Sequence, residues 1–339
     1  MPGAMRSFIK PSPGSVITKI DPCGLPDPMK LTEAILYVPM LVVLKALQLL
    51  PLLVVAVTGR IFGALFYLVD ARHRKVAIDN LAASFPDKSP HEIRAIAREN
   101  YRRIGECFAC AVKTSSMDFS KLRQRTTLTG IENLVPESTM PPQSIVLAIG
   151  HFGAFNLWAS CGQLVPGFQT FTTYRGIKQP ALNRLLVSLR EKTGCRFFDR
   201  RTEAGALRQA VKPTGILLGL LSDQNSVGNA LKLPFLGRDC SVSPAPAVYA
   251  IRFNCRLVVG ICYRVGLARW HLEWHPEIAT HLNGEARSAA AIMNDINQVF
   301  EAAIRRDPAN WFWVHNRWKN LPKGPRSKLS SDEALTEES

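Results

Sequence analysis

Apolar residues dominate one long block near the start of the chain. Residues 34–69 read AILYVPMLVVLKALQLLPLLVVAVTGRIFGALFYLV and carry only two charges, Lys45 and Arg60. The block is longer than the roughly 20 apolar residues that cross a bilayer. Pro39 and Pro51 would break a soluble core helix of this length, whereas membrane helices tolerate proline better. The pattern therefore predicts a membrane-attached segment, either as one span or as a span with an interfacial helix.

A helical period follows the apolar block. In SPHEIRAIARENYRRIGECFAC, apolar residues recur at helical spacing from Ile93 to Phe108. Ser89 and Glu92 have the spacing of a capping box, and Pro90 falls at the first helical position. We expect helices throughout this part of the chain.

After Gly130 the pattern alternates between short apolar runs and helical periods. The runs SIVLAIG, FQTFTTY, GILLGLLSD, CRLVVGICYRV and RWHLEWHP predict strands. Between and after them, AFNLWASCGQL, ALNRLLVSLREKTG, TEAGALRQAVKP and ARSAAAIMNDINQVFEAAIRRDP predict helices. Strands that alternate with helices are typical of an α/β fold with a mostly parallel central sheet flanked by helices.

These patterns divide the chain into four parts. We expect an irregular, Pro- and Gly-rich arm at 1–33, the membrane-attached segment at 34–69, an α/β domain at 70–321, and a polar, disordered tail at 322–339. The arm does not resemble a cleavable signal peptide, because no apolar stretch follows its first charges closely.

The net charge and the cysteines indicate which class of partner the protein binds and whether its compartment is reducing. The formal net charge of +15 favours an anionic partner such as anionic lipid or an acidic protein. Nucleic acid is not expected, because the basic residues are dispersed and no nucleic-acid-binding motif occurs. The eight cysteines are scattered, and only Cys107 and Cys110 lie close together, inside a helical period. We interpret them as packed thiols in a reducing compartment, with no metal site and no cofactor.

The stretch AIGHFGAFNLWA places a histidine at a turn after a predicted strand. Sites in α/β sheets lie beyond the carboxyl ends of strands, and His151 has that position between Gly150 and Gly153. The near-neutral pKa of an ordinary histidine suits it to act as a general base. Position alone equally allows a histidine that only satisfies local backbone groups.

Five ordered motifs, and a further stretch upstream of them, resemble those of the bacterial lipid A late acyltransferases, relatives of the phosphatidylinositol mannoside and, more distantly, the glycerol-phosphate acyltransferases. GHFGAFN is similar to GHFGNWE, LLSDQN to the ADQ strand end, LPFLGR to PFFG, and NWFWVHNRWK to the closing WLWxHxRxK. TYRGIKQPALNRLLVSLREKTG resembles the YRP segment, and the upstream NLAASFP matches the NLxxxFP helix pair. The resemblance covers about residues 45–320.

The resemblance implies a fold, a reaction and a location. The fold would be glycerolipid acyltransferase-like with an N-terminal membrane helix. The reaction would move a fatty acyl chain from an acyl carrier protein or coenzyme A thioester to a hydroxyl of a lipid A precursor or a related membrane lipid. The enzyme would act in lipopolysaccharide biosynthesis at the inner (cytoplasmic) membrane. Its catalytic domain would face the cytoplasm, and the basic residues of DARHRK after the apolar block favour the same side.

The motifs carry candidate site residues. His151 would be the general base, with Asn156 as its partner. Substrate binding is expected from Gly153, Tyr174, Arg175, Arg190, Asp223 and Gln224. Arg317 and Lys319, interleaved with Trp313 and Trp318, could meet lipid headgroups or anchor the domain at the interface.

Position 156 departs from the motif. The family pattern is HxxxxE or HxxxxD, in which the carboxylate orients the histidine, but this chain has Asn156. An asparagine can accept a hydrogen bond from an imidazole N–H, as in Cys-His-Asn sites, but it cannot neutralise an imidazolium. Three outcomes stay open: a slow enzyme in which Asn156 holds His151 by hydrogen bonding alone, an enzyme that recruits another carboxylate such as Asp223, or a catalytically silent relative that binds lipid or a carrier protein.

Overall fold

The computed structural model describes residues 31–134, 142–165, 167–190, 193–228 and 230–319. The predicted arm at 1–33 lies outside these ranges except for its last three residues, which begin a helix. The predicted tail at 322–339 lies outside them entirely.

The apolar block forms two helices rather than one. Helix α1 spans Leu31–Leu49 with Pro39 inside it, and α2 spans Leu52–Val69. Pro51 separates them at the N-cap of α2, where its missing N–H costs nothing. By length and composition, α2 is apolar enough to cross a membrane, with a mean hydropathy of 2.1.

The next two helices follow the predicted period. Helix α3 spans Ala71–Ser84, and α4 spans Pro90–Thr114. The predicted capping box is present: Ser89 accepts from the N–H of Glu92, and the Glu92 carboxylate accepts from the N–H of Ser89. Apolar side chains of α4, such as Ile93, Ala97 and Tyr101, face the core.

The remaining elements include the five predicted strands and the predicted helices, together with strands that the sequence pattern did not predict. The strands are β1 (Thr126–Thr129), β2 (Ile145–Ile149), β3 (Gln169–Tyr174), β4 (Cys195–Asp199), β5 (Ile216–Leu221), β6 (Leu231–Phe235), β7 (Arg238–Val242), β8 (Arg256–Gly266), β9 (Arg269–Trp274), β10 (His281–Leu282) and β11 (Glu285–Ala286). The helices are α5 (Phe119–Arg123), α6 (Pro180–Ser188), α7 (Ala204–Ala210), α8 (Ala245–Arg252) and α9 (Ala289–Arg306). Short 3-10 helices cover Ile131–Asn133, Phe155–Gln163 and Pro308–Asn310.

Seven strands form the central sheet in the order β1-β9-β8-β2-β5-β3-β4. The five strands from β8 to β4 are parallel, and only the β8–β9 pairing in this sheet is antiparallel. The mostly parallel α/β sheet is therefore confirmed. The stretch AFNLWASCGQL, which was predicted to be helical, forms a 3-10 helix over Phe155–Gln163.

Helices and loops cover both faces of the sheet. Alternate residues of β2 belong to different cores: Val146 and Ala148 pack with α8 and α9 on one face, while Ile145, Leu147 and Ile149 pack with the 3-10 helix Phe155–Gln163 on the other. Burial on both faces explains why β2 and β5 read as continuous apolar runs.

Candidate active site

The pairing of β2 with β5 brings two polar residues together. Ile149 and Leu221 are register partners at the carboxyl ends of these parallel strands. His151 and Asp223 each follow two residues later, so the sheet places them side by side at the edge where α/β sites form. Both residues were predicted for the site, but as members of different motifs.

The Asp223 carboxylate holds His151 through the ring and the backbone. Asp223 Oδ1 lies 2.8 Å from His151 Nδ1, and Oδ2 accepts from the His151 backbone N–H at 2.8 Å. Trp311 Nε1 donates to the same Oδ2 at 2.8 Å. Gly150 permits this close approach, because a Cβ there would lie 3.2 Å from the Asp223 Cγ and collide with the Phe152 ring.

These contacts set the protonation states. Burial alone would raise the pKa of the Asp223 carboxyl, but the charge and hydrogen bonds of His151, together with the charge of Arg317, hold that pKa well below its usual range. An ionised Asp223 accepts from Nδ1–H, so the ring tautomer that we assign leaves the Nε2 lone pair available. Gln224 Nε2 lies 3.4 Å from that Nε2.

Asn156 does not take the position of the expected carboxylate. Its Oδ1 lies 4.0 Å from the Sγ of Cys107 on α4, while Nδ1 of His151 is hydrogen-bonded to Asp223. The expectation that Asn156 alone holds His151 is therefore not met, and the carboxylate left open as an alternative, Asp223, occupies that place. The physical reason is that the strand register brings Asp223 to Nδ1, whereas Asn156 lies on the 3-10 helix Phe155–Gln163.

Two phenylalanine rings contact the imidazole of His151, and a third packs against both of them. The ring centroid of His151 lies 4.7 Å from that of Phe155 and 5.8 Å from that of Phe312. Phe108 of α4 packs edge-on against both phenylalanines. Sequence reasoning did not single out these rings or Trp311, although a buried indole N–H in WFWVH signals that a nearby acceptor is needed.

His151 lines one large cavity of about 1220 Å³, which exceeds the usual size of a small-molecule pocket, roughly 300–1,000 Å³. The predicted residues Asn156, Tyr174, Arg175, Arg190 and Gln224 also line it, while Asp223 lies buried behind His151. One part of the wall is apolar and comes from α4, α5 and the segment between them: Phe108, Ala111, Val112, Met117, Phe119 and Leu122.

A cationic part of the wall lies around Arg190. Its guanidinium stacks between Tyr174 and Phe197, with Cζ 4.3 Å and 4.5 Å from the two ring centroids. Burial lowers the pKa of Arg190, and its Nη1 is buried without a hydrogen-bond partner among the described residues. Arg175, Arg200 and Arg201 line the same cavity. This wall can accept an acidic group.

The structure places two further candidate residues outside the wall of the large cavity. Gly153 does not line the large cavity; its N–H donates to the Asn310 carbonyl at 2.9 Å, and its φ of +49° and contact with the Cys262 carbonyl give it a role in the turn. Arg317 cannot meet headgroups, because it is fully buried, with Cζ 4.2 Å from the Phe235 ring centroid. Trp313 and Trp318 are buried too, whereas Lys319 is exposed.

The cysteines near the site are free thiols. Cys107 and Cys110 are both buried in α4, and burial raises the pKa of each thiol, so neither is a thiolate at neutral pH. Within the described ranges, no three residues among His, Cys, Asp and Glu gather as metal ligands.

The fold and the site together define an α/β protein with a carboxylate-held histidine at one side of a large cavity. Comparison with known proteins identifies its family. The sequence profile of the bacterial lipid A biosynthesis acyltransferases matches residues 29–320, so the chain belongs to this family of acyltransferases.

Individual relatives are distant but cover most of the chain. It is 23% identical over 286 residues to the lipid A biosynthesis palmitoleoyltransferase of Escherichia coli (strain K12), covering 82% of this chain and 89% of that protein. It is 24% identical over 291 residues to a lipid A biosynthesis acyltransferase of Haemophilus influenzae, covering 82% and 88%.

Proposed function

We propose that this chain transfers a fatty acyl group from an acyl thioester to a hydroxyl of a lipid A precursor or a related membrane lipid, with His151 as general base. The observation that carries the proposal is the His151–Asp223 pair at the wall of a 1220 Å³ cavity. Membership of the lipid A acyltransferase family supports the class of acceptor.

The chemistry follows from the free nitrogen of His151. Nε2 takes the proton from the acceptor hydroxyl while the oxygen attacks the thioester carbonyl. The tetrahedral intermediate collapses with cleavage of the C–S bond, and the imidazolium returns its proton to the departing sulfur. The products are an ester and a free thiol. Asp223 acts through His151 as a positioning residue: it fixes the tautomer and offsets the charge of the imidazolium.

The two kinds of cavity wall fit the two ends of an acyl substrate. The apolar wall from Phe108 to Leu122 suits the hydrocarbon chain, because its burial contributes about 0.8 kcal/mol per CH₂. Tyr174, Arg175 and Arg190 suit a phosphate group of the acceptor or of the phosphopantetheine arm that acyl carrier protein and coenzyme A share. Gln224, 3.4 Å from Nε2, is placed to donate to the carbonyl oxygen as it becomes negative.

The same proposal sets the location at the inner (cytoplasmic) membrane, with the catalytic domain on the cytoplasmic side. The apolar helices α1 and α2 support membrane attachment. Arg72, Arg74 and Lys75, directly after α2, support the cytoplasmic side because basic residues flank membrane segments there.

One alternative function is a silent binder of lipid or carrier protein, which the replacement of the motif carboxylate by Asn156 favours. The contact between His151 and Asp223 speaks for catalysis, because it supplies the missing negative charge from another strand.

Lipid mass spectrometry of a host with and without the gene tests the proposal. We expect the wild type to add one acyl chain to a membrane lipid, and His151→Ala to leave that lipid unmodified. His91→Ala is the matched control, since His91 is exposed in the first turn of α4 and does not line the cavity. Full modification by the His151→Ala variant would refute the role of the base, and no modified lipid with the wild type would favour the binder.

A further inference from the structure

Helix α2 lies against the α/β domain instead of standing apart from it. It packs along α4, and the two helices run antiparallel, since Gly59 meets Gly105 while Gly63 meets Tyr101. A Cβ at Gly63 or Gly105 would collide with the backbone of the other helix. Only glycine allows this approach, so the contact is close along the middle of α2.

Charged groups fix α2 at its midpoint. Arg60 Nη2 lies 2.8 Å from Glu99 Oε2, and Nη1 lies 3.2 Å from Glu106 Oε2, both on α4. Glu106 is only 2% exposed and is also 2.7 Å from Arg264 Nε of β8. A transmembrane α2 would carry this ionic network into the centre of the hydrocarbon, where each charged side chain costs about 2.5–3.5 kcal/mol or more.

The neighbouring surface of α4 does not suit hydrocarbon either. Arg94, Arg98 and Arg102 of α4 are exposed at intervals of four residues. Because α2 and α4 are packed together, a transmembrane α2 would also bring these three arginines of α4 close to the hydrocarbon.

Helix α1 is also docked over most of its length. Leu44 is buried, and Tyr37, Met40, Leu41 and Leu47 are half-buried, which forms a stripe at helical spacing towards the domain. The helix contacts α4 and α6, and Gln48 Nε2 donates to the Val112 carbonyl of α4 at 3.3 Å.

The opposite faces of α1 and α2 are apolar and uncovered in the described chain. On α1 the exposed large apolar residues are Ile35, Leu36, Val38, Val42, Val43 and Leu49, and on α2 they are Leu53, Val54, Val57, Ile61, Phe62, Leu65, Phe66, Leu68 and Val69. Monomeric soluble proteins rarely expose so extensive an apolar surface. Lys45, Arg72 and Lys75 are exposed beside it and complement the charge of anionic lipid headgroups.

From these contacts we infer that α2 lies in the plane of one leaflet, embedded by its outer face, and does not cross the bilayer. The occupant of this apolar surface is the lipid of that leaflet. Phe108 of α4 is 51% exposed and lines the cavity, and its neighbours Gly105 and Ala109 meet Gly59 of α2, so α2 packs beside this part of the cavity wall. A lipid hydroxyl can then reach His151 from the leaflet without leaving it.

Depth-dependent fluorescence quenching tests this orientation without any acyl-transfer readout. Leu53, Ile61 and Leu68 are exposed along α2 and are changed to cysteine one at a time, labelled with a small fluorophore, and reconstituted in phosphatidylethanolamine–phosphatidylglycerol vesicles. Lipids with quenchers at known positions along the acyl chain then report depth. Arg94→Cys on α4 is the aqueous control, and the unsubstituted chain gives the background labelling.

We expect the three labels on α2 to lie at one shallow depth, about 5–10 Å below the headgroups, and the label at position 94 to be unquenched. A transmembrane helix would separate the labels at 53 and 68 by about 22 Å along the membrane normal, with the label at 61 deepest. That gradient would overturn the inference. The inference would also be overturned if no lipid quencher reached the labels on α2 and the chain cross-linked to a second copy. In that case protein, and not lipid, would cover the apolar face.

Discussion

Asp223 is a buried carboxylate that accepts hydrogen bonds from its neighbours through both of its oxygens. Three hydrogen bonds from His151 and Trp311 replace the water that Asp223 loses on burial. A buried carboxylate without such donors would take up a proton and could no longer stabilise an imidazolium. The Trp311 side chain, from a segment far along the chain, therefore helps to keep Asp223 ionised.

A second histidine, His315, lies near the His151–Asp223 pair and makes the stability of the folded state depend on pH. Burial lowers the pKa of His315 to about 4, and the nearby charges of His151 and Arg317 act in the same direction while Asp223 opposes them. An unfolded chain protonates histidine near pH 6.5. Between these pH values the unfolded state binds more protons, so the folded state loses stability as the pH falls from about 6.5 to 4.

His315→Gln should remove this loss. We expect the free energy of unfolding of the wild type to fall by on the order of 2 kcal/mol more than that of the variant over this pH interval, allowing for partial exposure of the ring. Urea unfolding in detergent, followed by tryptophan fluorescence at several pH values, measures the difference. Parallel curves for the two proteins would contradict a neutral, buried His315.

Sequence reasoning located both members of the His151–Asp223 pair but not the bond between them. Spacing along the chain pointed to position 156, because the motif counts five residues from the histidine. The parallel register of β2 and β5 decides the contact, and a register between residues 72 positions apart in the sequence is not visible in either motif. The expectation that Arg317 meets lipid headgroups also came from its neighbours in sequence. Those neighbours are aromatic, but Trp313 and Trp318 are core residues and not residues at a membrane interface.

At the scale of elements, glycines let α2 and α4 approach each other closely. Gly105→Val should push α2 away from α4 and lower the free energy of unfolding by about 2–3 kcal/mol, as overpacking does in other cores. Gly205→Ala on α7 is the matched control, because a Cβ there meets nothing within 4 Å. Chemical unfolding of both variants in detergent measures the effect, and equal stabilities would contradict the close contact.

The strands with the most continuous apolar sequence are those buried on both faces. Strands β2, β5 and β8 are continuous apolar runs and were expected. Strands β1 and β4 were missed because they are the outer strands of the sheet, and their sequences TTLT and CRFFD show only partial burial. An edge strand needs less apolar surface, so its pattern is weak.

At the scale of the whole molecule, the net charge of +15 affects how an anionic donor arrives. If acyl carrier protein delivers the chain, kcat/KM should fall steeply as the salt concentration rises, because screening weakens the attraction between the two proteins. An uncharged acyl-pantetheine thioester is the control donor and should show little salt dependence. Steady-state kinetics at several salt concentrations test this, and equal salt dependence for both donors would argue against steering by charge.

The central claim is that Asp223, and not Asn156, holds His151 as the base. It is tested most directly by measuring kcat and KM of acyl transfer for Asp223→Asn and Asn156→Ala beside the wild type, in detergent with one donor and one lipid acceptor. Thermal unfolding of each variant checks that it is folded.

We predict that Asp223→Asn lowers kcat by about 10³- to 10⁴-fold with little change in KM. The single amide oxygen has to accept from the two N–H donors now at Oδ2, which turns the NH₂ group towards Nδ1 and selects the wrong tautomer, and an amide cannot offset the imidazolium charge. Asn156→Ala should retain most of the wild-type kcat, since the Asn156 carbonyl faces Cys107. A folded Asp223→Asn variant with nearly full kcat, or an Asn156→Ala variant that loses as much activity as Asp223→Asn, would contradict the account.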